Sequence, residues 1–164
     1  MADDPSMGGT QPRILTLDRG ATRACDDPSV PVYSVGQALT GDGRGREEGR
    51  GLPQGSVPMD RREVFGVCGA ACLLRRELFA ELGGYDERYF SFYEDVDLNV
   101  RARIAGWRFL LEPEAVVWHV GEAAWRQASP SAPGRGWVAA SSDAGASSRS
   151  RGAGPSEQGR VRCA

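Results

Sequence analysis

The chain has 164 residues and a net charge of −2, from 20 basic against 22 acidic side chains, so no whole-chain field argues for nucleic acid or a membrane surface. No run reaches the ~18 consecutive apolar residues of a bilayer span and no signal peptide opens the chain, which points to the cytoplasm. Cys25, Cys68, Cys72 and Cys163 offer no Cys-x-x-Cys spacing for a zinc or redox pair, and Cys68 and Cys72, set in an apolar run, read as small core hydrophobes.

In chain order, residues 1–12 are polar and turn-prone and read as disordered. Arg13–Leu17 is a short strand. From Asp18 to Pro58 the composition is dense in Gly, Pro, Asp and Arg, with a brief apolar stretch at Val30–Val35, and Gly41–Gly51 reads as a loop. No strand leads into it and no helix follows, which excludes a phosphate loop or dinucleotide fingerprint. Val64–Leu74 is an apolar run with small residues at Gly66, Gly69, Ala70 and Ala71, as in a buried strand that another backbone or a ligand approaches closely. Arg75–Leu82 predicts a helix with Leu74, Leu78, Phe79 and Leu82 on one face and a left-handed stop at Gly83-Gly84.

An aromatic loop, Tyr85–Tyr93, precedes a second helix that opens on Glu94-Asp95 and ends at Gly106, with a stripe at Val96, Val100 and Ile104. Trp107–Leu111 and Ala115–His119 predict two strands around a turn at Glu112-Pro113-Glu114. Residues 127–164 are rich in Ser, Ala, Gly, Pro and Arg without apolar period and read as a disordered tail. Its five arginines against Asp143 and Glu157 make it +3 and the remainder −5; a solvated tail is the simpler reading than one that binds nucleic acid or anionic lipid. Every basic residue is Arg, as a GC-rich coding bias produces, and such a bias also generates this composition in a shifted frame.

The chemistry concentrates in Glu94, Asp95 and Asp97. Glu94 and Asp97, three apart, share a helix face while Asp95 points elsewhere. A carboxylate in this turn suits a general base aimed into a cleft, if burial among the aromatics offsets the pKa-lowering helix dipole. The same residues also fit a solvated acidic turn that caps the helix. His119, the chain's lone histidine, ends a strand and is more simply structural than a metal ligand. Trp107, Trp118 and Trp125 could line a sugar platform, with packing the default for the first two.

Taken together, Gly69-Ala-Ala-Cys-Leu-Leu-Arg-Arg, Gly83-Gly-Tyr-Asp-Glu, Tyr93-Glu-Asp-Val-Asp, Gly106-Trp and Pro113-Glu-Ala-Val-Val-Trp-His119 resemble, in order, the second half of family 2 glycosyltransferases, closest to rhamnosyltransferase-like members that build bacterial surface polysaccharides. The resemblance is strong over Val64–His119. It implies an α/β, partial GT-A (nucleotide-diphospho-sugar transferase) fold in which residues 13–126 form the acceptor-side, catalytic-base half. It implies inverting transfer of a sugar from a nucleotide-sugar donor to a saccharide or lipid-linked acceptor. Asp95 then corresponds to the base, with Glu94 its motif partner; Gly69, Ala70, Ala71, Tyr93 and Asp97 border acceptor or sugar; His119 matches a residue that joins a divalent metal, Mg or Mn, in the complete family member.

The resemblance also leads to an expectation about extent. No strand–helix–strand donor half with an Asp-x-Asp motif precedes Arg13, and Asp26-Asp27 does not replace it, so the chain is expected to be weakly active or inactive alone. The competing reading is a non-catalytic remnant, or an interaction piece that completes a separate donor-binding half. Location follows as cytoplasmic, or peripheral at the inner face of the membrane, with no nucleic-acid partner and no transmembrane segment.

Overall fold

The computed structural model of the protein describes residues 4–17, 24–89 and 92–120. The tail 127–164, Trp125 and Phe90 lie outside the described residues. Among the described residues the regular elements run in the order β1 (Met7–Thr16), β2 (Val32–Ser34), β3 (Gln37–Leu39), β4 (Gly45–Glu47), β5 (Arg62–Val64), β6 (Leu73–Leu74), α1 (Arg76–Glu81), α2 (Glu94–Ile104) and β7 (Arg108–His119), with a 3₁₀ turn at Gln54–Ser56. The architecture is mixed α/β. A curled sheet has the order β2-β1-β7-β5, with β6 also paired to β1, and β3 and β4 form a separate hairpin.

β1 and β7 are the axis of this sheet. They pair in parallel from Met7 opposite Arg108 to Thr16 opposite His119. β2 and β6 join β1, and β5 joins β7, all antiparallel. Residues 7–12 are therefore strand rather than the disordered segment their composition suggests. Gly8 and Gly9 read as turn formers, but their role is close approach: a Cβ on Gly8 would lie 2.3 Å from Leu78 Cδ1 of α1, and one on Gly9 2.7 Å from the Leu73 carbonyl.

β7 corrects a second expectation, since residues 108–119 form one strand and not two. Glu112 pairs with Pro12 and Val116 with Arg13, so residues 113–115 are extra residues bulged out of the ladder. Pro113 has no N–H to give to a ladder and sits where pairing is already interrupted. The buried run 64–74 also divides, into β5 and β6 with an irregular segment between them. In that segment a turn, Ala71 N–H to the Cys68 carbonyl at 3.2 Å, leaves Gly69 and Ala70 exposed.

The core gathers Leu15, Val32, Val64, Phe109 and Leu111 from the sheet and Val35 just after β2, with Leu78 of α1 and Ala102 of α2. α1 ends as its glycines predict, with Gly83 and Gly84 at φ 71° and 78°. The inward stripe of α2 is Leu98, Asn99 and Ala102; the expected stripe of Val96, Val100 and Ile104 is rotated away, and Ile104 is 82% exposed. A buried asparagine does not count as apolar in a periodicity reading, so the apolar period alone does not mark the buried face. Among the described residues no helix is long and apolar enough to cross a membrane.

Candidate active site around Asp95

The first turn of α2 is set by an uncommon backbone. Phe92 and Tyr93 both take left-handed φ values, 69° and 72°, which side chains other than glycine adopt at a cost of about 1–3 kcal/mol each. Tyr93 is the residue ahead of the helix, and its carbonyl accepts the Asp97 N–H at 2.9 Å. The two rings stay exposed beside Glu94 and Asp95.

Asp95 is partly buried and held at both oxygens. Its Oδ2 accepts the Gln37 Nε2–H at 2.8 Å and the Gly69 N–H at 2.8 Å. Its Oδ1 accepts the Val96 N–H at 2.8 Å. Gly69 meets the carboxylate at the exposed turn, where an added Cβ would sit 3.3 Å from Oδ2. Two of these donors, the Gln37 side chain from β3 and the Gly69 amide, come from outside α2 and both hold Oδ2, while the Val96 amide of α2 itself holds Oδ1.

Glu47 is the second carboxylate of the site. The β3–β4 register sets Gln37 opposite Glu47, and Gln37 Nε2 donates to Glu47 Oε1 at 2.8 Å as well as to Asp95. Burial pushes Glu47 above the usual glutamate range and the neighbouring Asp95 charge adds to it, while bonds from Ser34 and Gln37 oppose the rise. Glu47 Oε2 is buried with no hydrogen-bond partner, as is Glu94 Oε2. Beneath these groups Asn99 Nδ2 donates to Gln37 Oε1 at 2.7 Å and to the Val67 carbonyl at 2.8 Å. Gln11 Oε1 receives the Cys68 N–H at 2.6 Å and Gln11 Nε2 bonds Ser34 Oγ at 2.8 Å, which braces the turn that carries Gly69.

The residues expected from sequence divide between this cluster and other surroundings. Asp95, Gly69, Ala70 and Tyr93 lie around one exposed face, with Ala71 and Glu94 beside it and partly buried. Asp97 is occupied elsewhere: Arg101 Nε donates to its Oδ2 at 2.8 Å, and the same guanidinium binds the Leu82 and Gly84 carbonyls. His119 stands at the end of β7, its ring edge-on to Tyr33 at 4.3 Å and next to Arg50. Burial, and then the Arg50 charge, hold its imidazole below the usual range.

A divalent metal would need several of these side chains to converge as ligands. Among the described residues one group of potential ligands converges, Glu47, Cys68 and Asp95, with ligand atoms within 4.8 Å of one another. Mg and Mn prefer oxygen ligands. Here one of three ligands is a thiol, which burial and then the Glu47 charge push far above the usual cysteine range, and Asp95 Oδ2 already accepts two N–H groups. This set does not fit a hard divalent ion, and the Arg50 guanidinium beside His119 disfavours a cation there.

Sequence reasoning missed Gln37, Glu47, Asn99 and Gln11. The available signal was the Asp42-Gly43 pair between two short alternating stretches, a hairpin signature hidden by the surrounding arginines and glycines.

The comparisons with known proteins concern the same part of the chain. Residues 52–132 match the family described as glycosyltransferase like family 2. Over 58 residues the chain is 47% identical to N-acetylglucosaminyl-diphospho-decaprenol L-rhamnosyltransferase of Mycobacterium tuberculosis strain CDC 1551 / Oshkosh, and equally to that of strain ATCC 25618 / H37Rv. The matched stretch is 35% of this chain and 19% of each relative, so the chain spans about a fifth of the length of these relatives. No solved structure matches the chain significantly. Over residues 52–132 the chain is therefore similar to glycosyltransferase family 2.

Proposed function

We propose that this chain carries the acceptor-side part of a GT-A-type glycosyltransferase and that Asp95 is its catalytic base. The observation that supports this most is the Asp95 carboxylate itself, fixed at the start of α2 by Gln37 and Gly69 while Gly69, Ala70, Phe92 and Tyr93 leave its surroundings open to solvent. In this reading an acceptor hydroxyl gives its proton to Asp95 as its oxygen forms a bond to the anomeric carbon of the donor sugar. The bond from that carbon to the nucleoside diphosphate breaks, the electron pair leaves with the phosphate, and the configuration inverts. Glu94, with its inward oxygen lacking a partner, flanks the acceptor, and the exposed rings of Phe92 and Tyr93 offer faces for a pyranose.

Family members commonly use a divalent metal, which when bound neutralises the departing diphosphate. The converging side chains Glu47, Cys68 and Asp95 do not suit such an ion. The relatives' name supports a nucleotide-activated L-rhamnose as donor and a polyprenyl-diphospho-sugar as acceptor, and such an acceptor would bring the chain to the inner face of a membrane.

The test is a segment exchange. The M. tuberculosis relative, with its corresponding segment replaced by residues 52–132 of this chain, is assayed for rhamnosyl transfer to N-acetylglucosaminyl-diphospho-decaprenol. Asp95→Asn in that hybrid should lower kcat about 10²–10⁴-fold, the usual contribution of a general base. Near-full activity of the Asn variant would overturn the assignment.

A further inference from the structure

We infer that Gln37 is a positioning residue for the base: its side-chain amide, bonded at once to Asp95 and Glu47, fixes the direction in which the Asp95 carboxylate faces the acceptor. The inference rests on the reading of Asp95 as base. Gln37 has no exposed path to a substrate, being 2% accessible, so it can act only through its neighbours. Its amide has two N–H donors and one carbonyl acceptor, and all three are used: Nε2 to Asp95 Oδ2 and to Glu47 Oε1, each at 2.8 Å, and Oε1 from Asn99 at 2.7 Å. Asn99 is itself 1% exposed and tied to the Val67 carbonyl, so the amide cannot flip without giving up bonds on both sides.

The packing around this amide leaves it little room to move. A Cβ on Gly66 would lie 2.5 Å from Asn99 Cγ, and one on Gly45 2.4 Å from Val96 Cγ2. The small residues therefore let the β5–β6 segment and the β3–β4 hairpin close on α2 until donor and carboxylate meet. The groups that face the Asp95 carboxylate are Glu47 from β4, Gln37 from β3, and Cys68 and the Gly69 amide from the β5–β6 turn. Of these Gln37 is the only side chain whose bond to Asp95 is donated by an N–H. It also bridges the two carboxylates, placing N–H donors between groups whose like charges repel. A base misdirected by about 1 Å can lose on the order of 10²-fold in rate, so a buried residue of this kind bears on turnover without touching substrate.

The inference can be tested on the full chain without turnover, because the Gly69 and Val96 amides donate to the two Asp95 oxygens and so report its orientation. Gln37→Met keeps the length and removes the donor. Gln37→Glu keeps the shape and the acceptor that Asn99 uses, and places an oxygen where the Nε2 donor stood. In ¹H–¹⁵N spectra of both variants the Gly69 and Val96 amide protons should move upfield and lose protection from hydrogen exchange, while amides of the β1–β7 pair stay unchanged. Unmoved Gly69 and Val96 signals in a variant whose β1–β7 amides remain native would overturn the inference. The base reading is judged separately, by Asp95→Asn in the segment exchange. Full transfer there sinks the base and with it any positioning role; a dead Asn variant with unmoved amides in the Gln37 variants sinks the positioning role alone.

Discussion

At the scale of single residues the site is built from side chains under constraint, and Tyr93 is the clearest case. A left-handed φ of 72° is destabilising for tyrosine and free of strain for glycine. Tyr93 is 44% exposed, so its ring contributes little burial in return. Tyr93→Gly is therefore expected to raise stability by about 1 kcal/mol, strain relieved less the extra entropy of glycine in the unfolded chain. A thermal melt checks this, and a lowered Tm would show that the ring supports the fold. The accompanying expectation is weaker binding of a polyprenyl-diphospho-sugar by the Gly variant, measured by titration calorimetry. Asp95 itself was legible in the sequence as part of an acidic helix turn after an aromatic loop. What the sequence withheld was its bracing, because the Gln37–Asp95 bond joins residues 58 apart and no local period records such a contact.

Elements tell a similar story of local pattern and distant packing. α1 and α2 fall where caps and composition put them, since helix signals are carried within a few residues. The burial face of α2 is hidden in the sequence because Asn99, buried in the hydrogen-bonded layer beneath the site, interrupts the apolar stripe. The β3–β4 hairpin has the composition of a loop because Arg and Gly dominate it and each strand has three residues. The turn between the helices is held by Arg101, whose guanidinium binds two main-chain carbonyls and the Asp97 carboxylate in a partly buried setting. Arg101→Ala removes the donors but leaves the acceptors, and should destabilise by about 2–4 kcal/mol. Chemical denaturation with an unchanged m-value would measure it, and a loss under ~0.5 kcal/mol would mean that water replaces the guanidinium.

For the whole molecule, the β1–β7 pair is both the structural axis and the least legible feature, since parallel strands separated by nearly the full described length leave no shared local signal. Its far end carries a pH response. His119 has a folded-state affinity for protons below the ordinary imidazole value, through burial and then Arg50. The unfolded chain therefore binds the proton more readily, so the contribution of this residue is intact above the ordinary histidine value and is lost as pH falls through it. Melting temperature should decline between about pH 7 and pH 5.5, and His119→Phe, which keeps a ring against Tyr33, should flatten that part of the curve. An identical pH dependence in the Phe variant would assign the decline to carboxylates.

The hairpin that steadies Asp95 ends at Glu47, ahead of residue 52, where the family match begins. A graft joined at residue 52 consequently sets this aspartate against whatever its host offers in place of Gln37. A graft joined upstream of residue 37 brings the native support along. Comparing turnover across those two junctions would measure how far a catalytic motif depends on sequence its own signature leaves out.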